Sequence, residues 1–490
     1  MRIFRSLFIV VCLMVITTMI VSAAPLAAAT TKMLSTNYTV VNLSTTDATV
    51  TASYYKPDGS AWVASPQNTS FTVKGNYGQQ IVSLYFDTTL TAGQGSVVLT
   101  SSQPLGAVTQ ILARNQVPSS GAYSGITAPA ARYYAPQVFA NLPSAAGLQN
   151  SQIAIQNTTA AAITVNVEFV PFPGISGLSA YTKSGISIAA GAAFLYDLSN
   201  EANLKSTNAT VKGWTGSAVV SATSGTVAVV VNTFAGVNSL QTYNAFPSTD
   251  ITDAWSIPQF TSKLPNGLNT PIIAQNLSGG DIPVGDVTLT CVAATGYSPA
   301  TLVKKNEAVV PNNGTFAFNP YGNAAYPNNW SGTCTMKSAT GKGMVAIVQM
   351  RKPGFSDELA AYEGLKATST SKKVIVPLVS KNQANGFATA VTIKNLDTDA
   401  GTTVHLVYTP AAAYVAGGGS ATPVTIDATI PANGNLIQSQ RFTGTPEIPN
   451  GWYGSLVVTS DTTPIGALVQ LSNVFAQPGD TYMAHNAFTQ

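Results

Sequence analysis

The stretch Gly451-Trp452-Tyr453-Gly454-Ser455-Leu456-Val457-Val458 recurs through this chain in altered form. Gly213-Trp214-Thr215-Gly216-Ser217-Ala218-Val219-Val220 is its nearest copy, and Asn329-Trp330-Ser331-Gly332-Thr333-Cys334-Thr335-Met336 is a third. Gly93-Gln94-Gly95-Ser96-Val97-Val98-Leu99 is a fourth, without its Trp. The shared glycines, Gly95, Gly216, Gly332 and Gly454, stand 121, 116 and 122 residues apart. A recurrence at that period means tandem modules of similar build.

Working outward, a second landmark keeps step with the first. Alternating runs end in Asn42, Asn157, Asn276 and Asn395, spaced 115, 119 and 119 residues. After each Asn comes a short polar turn and a further alternating run: Val50 to Tyr54, Val165 to Phe169, Val287 to Cys291 and Val404 to Tyr408. Period-two alternation rich in β-branched residues means strands joined by tight turns. The Asn reads as turn chemistry, because its side chain bonds to backbone two residues on. A hairpin follows the Gly motif, and each module closes on Tyr123, Tyr243, Tyr362 or His485.

The modules open on Ala135-Pro136-Gln137-Val138, Ile257-Pro258-Gln259-Phe260 and Val376-Pro377-Leu378-Val379. Proline inside a strand-like run suggests an edge strand, since its ring removes a ladder donor. The matching proline of the first module is Pro25. No long 3.6-residue period occurs, so the expected fold is all-β: four tandem antiparallel β-sandwich modules. The boundaries read as 24–130, 131–248, 254–366 and 372–490, behind a leader over 1–23. Short links predict an elongated chain.

The N-terminus has the form of a secretory leader. Arg2 and Arg5 precede an apolar run from Leu7 to Val21, with acceptable cleavage after Ala23 or Ala29. Pro25 favours Ala23. No second apolar span occurs, so no membrane insertion is expected once the leader is gone. Charged residues are only 9% of the chain and the net charge is +3, which offers no electrostatic footprint for nucleic acid. An apolar content of 45% excludes disorder. Secretion, with possible attachment to a cell surface, follows.

Cys291 and Cys334 remain after leader removal, and an even pair in an exported chain reads as a disulfide. Cys291 takes the place of Tyr54, Phe169 and Tyr408, and Cys334 that of Val97, Ala218 and Leu456. The expected geometry is a bridge across the core between facing strands. The Cys pair, with Trp214, Trp330 and Trp452 beside core strands, resembles the tandem immunoglobulin-like and fibronectin-type modules of bacterial surface proteins. That resemblance implies a β-sandwich architecture and no particular ligand.

Candidate chemistry is sparse. His485 stands in a series of tyrosines, and His405 alternates with Val404 and Leu406, pointing outward. Neither has a nucleophile at triad spacing. Asn395, Asp397 and Asp399 offer oxygens at alternate positions, a weak calcium candidate whose competing reading is a polar turn. Tyr321 and Tyr326, in an insertion before Trp330, are candidates for stacking on a sugar. No metal, cofactor or enzymatic activity is expected. The expected role is a structural or surface repeat protein that associates with itself or with other surface proteins. The alternative is an adhesin or glycan-binding protein.

Overall fold

The computed structural model describes residues 34–113, 119–144, 146–208, 210–236, 239–353, 358–441, 448–473 and 479–490. The leader, both cleavage positions and the strand expected around Pro25 lie outside the described residues. Among the described residues no helix is long and apolar enough to cross a membrane. The described residues are all-β, with short helices among them only at Pro66–Thr69 and Ala412–Ala416 and a few 3₁₀ turns.

Eight antiparallel sheets fall into four consecutive units of two. The strands that end in Asn (Leu34–Asn42, Gly147–Asn157, Ile272–Asn276 and Phe387–Asn395) are central in one sheet of each unit. The Gly-motif strands (Ser96–Ser101, Trp214–Ala222, Trp330–Ser338 and Tyr453–Ser460) lie in the other, beside Ala48–Tyr55, Ile163–Pro171, Val287–Ala293 and Thr402–Pro410. Alternation builds these pairs. In Ile163–Pro171, Ile163, Val165, Val167 and Phe169 are buried, and the residues between them are only half-buried. In the first unit Tyr38 and Val40 of one sheet share a core with Val50, Ala52 and Tyr54 of the other.

The strand order departs from the immunoglobulin arrangement. There the first strand lies beside the second. Here the opening strands Arg132–Ala140, Ala254–Ser262 and Lys373–Ser380 lie beside the Gly-motif strand in the opposite sheet. Nor are they edge strands, as their prolines suggested. Each is flanked on its far side by a two-residue closing strand, Phe246–Pro247, Leu365–Lys366 or Phe488–Thr489. The ladder shifts register at each proline, between Gly216 and Ala218 and at Ile257/Phe260 and Val376/Val379. A bulge leaves the missing donor without a ladder position to fill.

The elongated arrangement is overturned. The last full strands of the units, Ser120–Ser124, Ser239–Asn244, Leu359–Glu363 and Met483–Asn486, pack one against the next, and the fourth returns to the first. The four units therefore close into a ring. Equivalent positions on these strands carry a cyclic set of hydrogen bonds. Ser124 Oγ donates to the Asn486 carbonyl at 3.1 Å, and Asn486 Nδ2 to the Glu363 carbonyl at 2.8 Å. The Asn244 N–H donates to the Glu363 carboxylate at 2.7 Å, and Asn244 Nδ2 to the Ser124 carbonyl at 2.9 Å. Small side chains fill the axis: Ala122, Thr242, Ala361 and Ala484 are all buried.

The rim of the ring repeats as well. Ser96 Oγ donates to the Gly191 carbonyl, Ser217 Oγ to that of Asn313, and Ser455 Oγ to that of Tyr77, each time crossing to a turn of the next unit. The joint between the third and fourth units is made by Asn435 Nδ2 on the Pro258 carbonyl. Apolar cores cross these joints. Val41 packs with Ile375 and Val457, and Val108 and Ala122 of the first unit belong to the core of the fourth. Short links predict a rod only when neighbouring modules have nothing to bury against each other, and here they do.

Candidate functional site: an uncovered sheet edge

The Gly motif has a steric cause. A Cβ at Gly216, Gly332 or Gly454 would lie 2.1 Å from a carbonyl oxygen of the neighbouring strand. It would also lie 2.6, 2.5 or 2.6 Å from the ring of Trp214, Trp330 or Trp452, two residues back. The Trp folds flat over its own glycine, and all three Trp are buried. In the first unit Trp62, from the loop after Ala48–Tyr55, takes that place. A Cβ at Gly95 would lie 2.9 Å from its ring and 2.2 Å from the Tyr55 carbonyl. The ring of the missing Trp is thus supplied from elsewhere in the chain.

Beyond that substitution the first unit differs in one respect. In the other three units the Gly-motif strand has a neighbour on both sides, whereas Ser96–Ser101 pairs only with Ala48–Tyr55 among the described residues. Its core shows the consequence. Ala218 and Val220, Cys334 and Met336, Leu456 and Val458 are all 0% exposed, but their counterparts Val97 and Leu99 are only half-buried. The two most exposed large apolar side chains among the described residues, Val63 at 66% and Phe86 at 73%, belong to the same unit. An edge strand carries unpaired N–H and C=O groups that template pairing with another strand. No Lys, Glu or Pro within Ser96–Ser101 guards against it.

The other expected site residues fall as follows. Cys291 and Cys334 are bridged, but within one sheet and not across the core. They are direct cross-strand partners with Cα atoms 3.9 Å apart. Tyr54 and Val97, Phe169 and Ala218, and Tyr408 and Leu456 are opposite each other in the same way. The repeat identified two touching positions correctly, but a shared apolar character does not tell a same-sheet neighbour from a facing one.

Asn395, with Asn42, Asn157 and Asn276, is buried and fully used in its turn. Its Nδ2 donates to the carbonyls of Ala400 and Pro431, and its Oδ1 accepts from the Asp397 N–H. Asn42 makes the same set with Thr46, Val73 and Ser44. Asp397 Oδ1 accepts from the N–H groups of Asp399 and Ala400. Turn bonding thus engages Asn395 and one carboxylate oxygen of Asp397, and among the described residues no group of three or more His, Cys, Asp and Glu is placed to hold a metal ion. Tyr321 and Tyr326 do not form one platform. Tyr321 is 54% exposed, whereas Tyr326 is buried against Phe260, because its insertion folds back onto the core.

His485 is buried where its counterparts Tyr243 and Tyr362 reach the carbonyls of Gln137 and Gln259. Burial pushes its imidazole down to about 4. His405 faces outward, as alternation requires, between Asp427 at 2.7 Å and Asp461 at 2.9 Å. These carboxylates raise its pKa. The axis holds two carboxyl groups that sequence reasoning missed. Asp480 accepts from the N–H groups of Leu240 and Tyr482, both at 3.0 Å, and from that of Leu359, and its carbonyl accepts from Ser120 Oγ. One residue thereby ties all four units together. Burial raises Asp480 well above the usual carboxylate range and pushes Glu363 up to about 7. Contact with all four units isolates Asp480 from water, so no local pattern marks it.

No protein-family model matches the chain, and no curated protein matches its sequence. Among solved structures it is similar to the tetra-tandem repeat in the extending region of a large adhesion protein. The identity is 9% and the TM-score 0.11, over 90% of this chain and 91% of that one. A likeness of that size has no bearing on function.

Proposed function

We propose that this chain is an exported, non-enzymatic structural component of a cell surface or extracellular coat, acting through protein–protein association. Its four units are read as four copies of one β-sandwich module, 24–130, 131–248, 254–366 and 372–490, drawn into a ring. The observation that supports this reading is the Gly-motif strand Ser96–Ser101, which among the described residues has one neighbour where its counterparts in the other three units have two. In the other three units the equivalent strand is flanked on both sides, which singles out that of the first as the proposed place of association. Strand addition at an open edge supplies main-chain hydrogen bonds between subunits.

The test is sedimentation velocity and negative-stain electron microscopy of the chain beginning at Ala24. Filaments, sheets or hetero-complexes from the native surface support the reading. A lone ring that copurifies with nothing and stays monomeric at high concentration overturns it. A second reading, glycan binding, rests on the exposure of Tyr321. It requires glycan-array binding that Tyr321→Ala abolishes.

A further inference from the structure

We infer that the ring axis binds a monovalent metal cation between the side chains of Asn244, Asn486 and Glu363. The inference is independent of how the ring associates. Tyr123, Tyr243, Tyr362 and His485 are each followed by a polar residue: Ser124, Asn244, Glu363 and Asn486. Their hydrogen bonds run once round the axis, from the first unit to the fourth, the third, the second and back to the first. The four side chains therefore stand in one layer, each bonded to the backbone of an adjacent unit. That circuit uses the donors and leaves acceptors over. Each Asn commits its Nδ2, while Asn244 Oδ1 and Asn486 Oδ1 are buried without a hydrogen-bond partner. They belong to the second and fourth units, on opposite sides of the axis. Between these units stands the Glu363 carboxylate of the third, which accepts from the N–H groups of Asn244 and of Glu363 itself. Among the described residues no ion pair reaches it. Asp250, the charged group whose field acts on it, is itself paired with Lys366 at 2.6 Å.

A buried acceptor without a donor calls for a water or an ion. A water offers two O–H groups, enough for the two amide oxygens, but it leaves the carboxylate charge without a counter-charge. Burying a charge is costly unless it is paired. A cation serves all three oxygens at once. Carboxylate and amide oxygens suit hard cations and not zinc or copper. Charge then decides the valence. One carboxylate balances one positive charge, so sodium or potassium leaves the layer neutral, whereas calcium would bury an excess charge. Ser124 Oγ, which donates to the Asn486 carbonyl in the same layer, keeps lone pairs for a fourth contact. A cavity lined by Gly364, Lys366, Asn486 and Ala487 opens beside the layer and gives an ion a way in.

The experiment melts the chain from Ala24 at pH 8 in choline chloride, with sodium or potassium chloride exchanged for it at constant ionic strength, so that screening does not change. The expected result is a melting temperature that rises by about 1 °C or more for each tenfold increase in sodium or potassium. Glu363→Gln keeps the shape and removes the charge. It should lose this dependence while melting no lower than the native chain in choline alone, which separates loss of the ion from loss of the fold. Crystals grown in a thallium(I) salt, a potassium mimic, should show an anomalous peak on the axis between Asn244 and Asn486. Equal melts in the three salts would overturn the inference, as would a salt effect that Glu363→Gln keeps. Density of a water without anomalous signal would overturn it too. Stabilisation by calcium chloride but by neither sodium nor potassium would overturn the assignment to a monovalent ion.

Discussion

The first and fourth units share a strand order, the buried Asn turn and an aromatic ring over the motif glycine, yet among the described residues only the fourth has its Gly-motif strand paired on both sides. In the fourth, Lys373–Ser380 and Phe488–Thr489 cover the Gly-motif strand, and Leu456 and Val458 are out of contact with water. In the first, Val97 and Leu99 are half-buried beside an unpaired ladder. The comparison separates two things a repeat carries. A turn or a ring–glycine contact is satisfied within a few residues or one neighbouring loop. Sheet completion needs a strand from outside that neighbourhood. Among the described residues the first unit keeps the local features, even recruiting Trp62, and shows no second neighbour for its Gly-motif strand.

The third unit sharpens the comparison most. Its bridge closes a loop with a sequence separation of 43, so its removal by C291S with C334S costs up to about 4 kcal/mol. Replacing the pair by C291Y and C334L, the residues of the fourth unit, should recover part of that loss, as read by urea unfolding. If it recovers nothing, the units are not interchangeable at this position. Next, Gly454→Val drives a side chain into the Thr409 carbonyl and the Trp452 ring, at a cost of about 3 kcal/mol or more. Gly95→Val should cost less, because nothing described holds Ser96–Ser101 from its far side. Equal losses would mean that the first edge is as fixed as the fourth. Leu456→Ala is expected to cost about 3 kcal/mol and Leu99→Ala roughly 1 kcal/mol.

Effects of pH are smaller and have opposite signs on the ring axis. The folded pKa of His485, about 4, lies below its unfolded value near 6.5. The unfolded chain then holds more protons between these values, so stability is lost as pH falls through that window, by at most about 3 kcal/mol. Glu363, raised to about 7 from 4.5, acts in reverse, and its contribution is lost as pH rises from 4.5 to 7. Asp480, raised as Glu363 is, acts with the same sign, so thermal melts of the native chain should decline as pH rises above the ordinary carboxylate range. Glu363→Gln should lessen that decline, and His485→Tyr should steepen it. The first unit, with Tyr123 at the His485 position, contributes neither. The smallest effect belongs to His405. Its folded pKa is raised, so its stabilisation is full below the unfolded value and fades as pH rises through the folded one. His405→Gln should remove that slight slope and nothing else.

Much of the fold was legible before any coordinates. The Asn spacing marked four turns whose bonds prove nearly superposable. Alternation placed Val165, Val167 and Phe169 inward and His405 outward. The Cys pair was found from the slots it shares with Tyr408 and Leu456. The candidate ligand sites were less legible. Asn395 and Asp397 look alike as a calcium loop and as a turn, because both uses need oxygens at alternate positions. Tyr326 was read as a free ring, since an insertion has no period to say which way it folds.

Sequence alone determined the all-β class, the strands, the turns and the touching cysteines, because each follows from side-chain alternation or from bonding within a few residues. Tertiary structure decided the rest. It placed the opening strand beside the Gly-motif strand and put the disulfide within one sheet. It also substituted Trp62 for a missing Trp and closed the four units on Asp480. These depend on which surfaces meet between residues a hundred or more positions apart. An alternating strand looks the same whatever lies beside it, so its period carries no record of its neighbour.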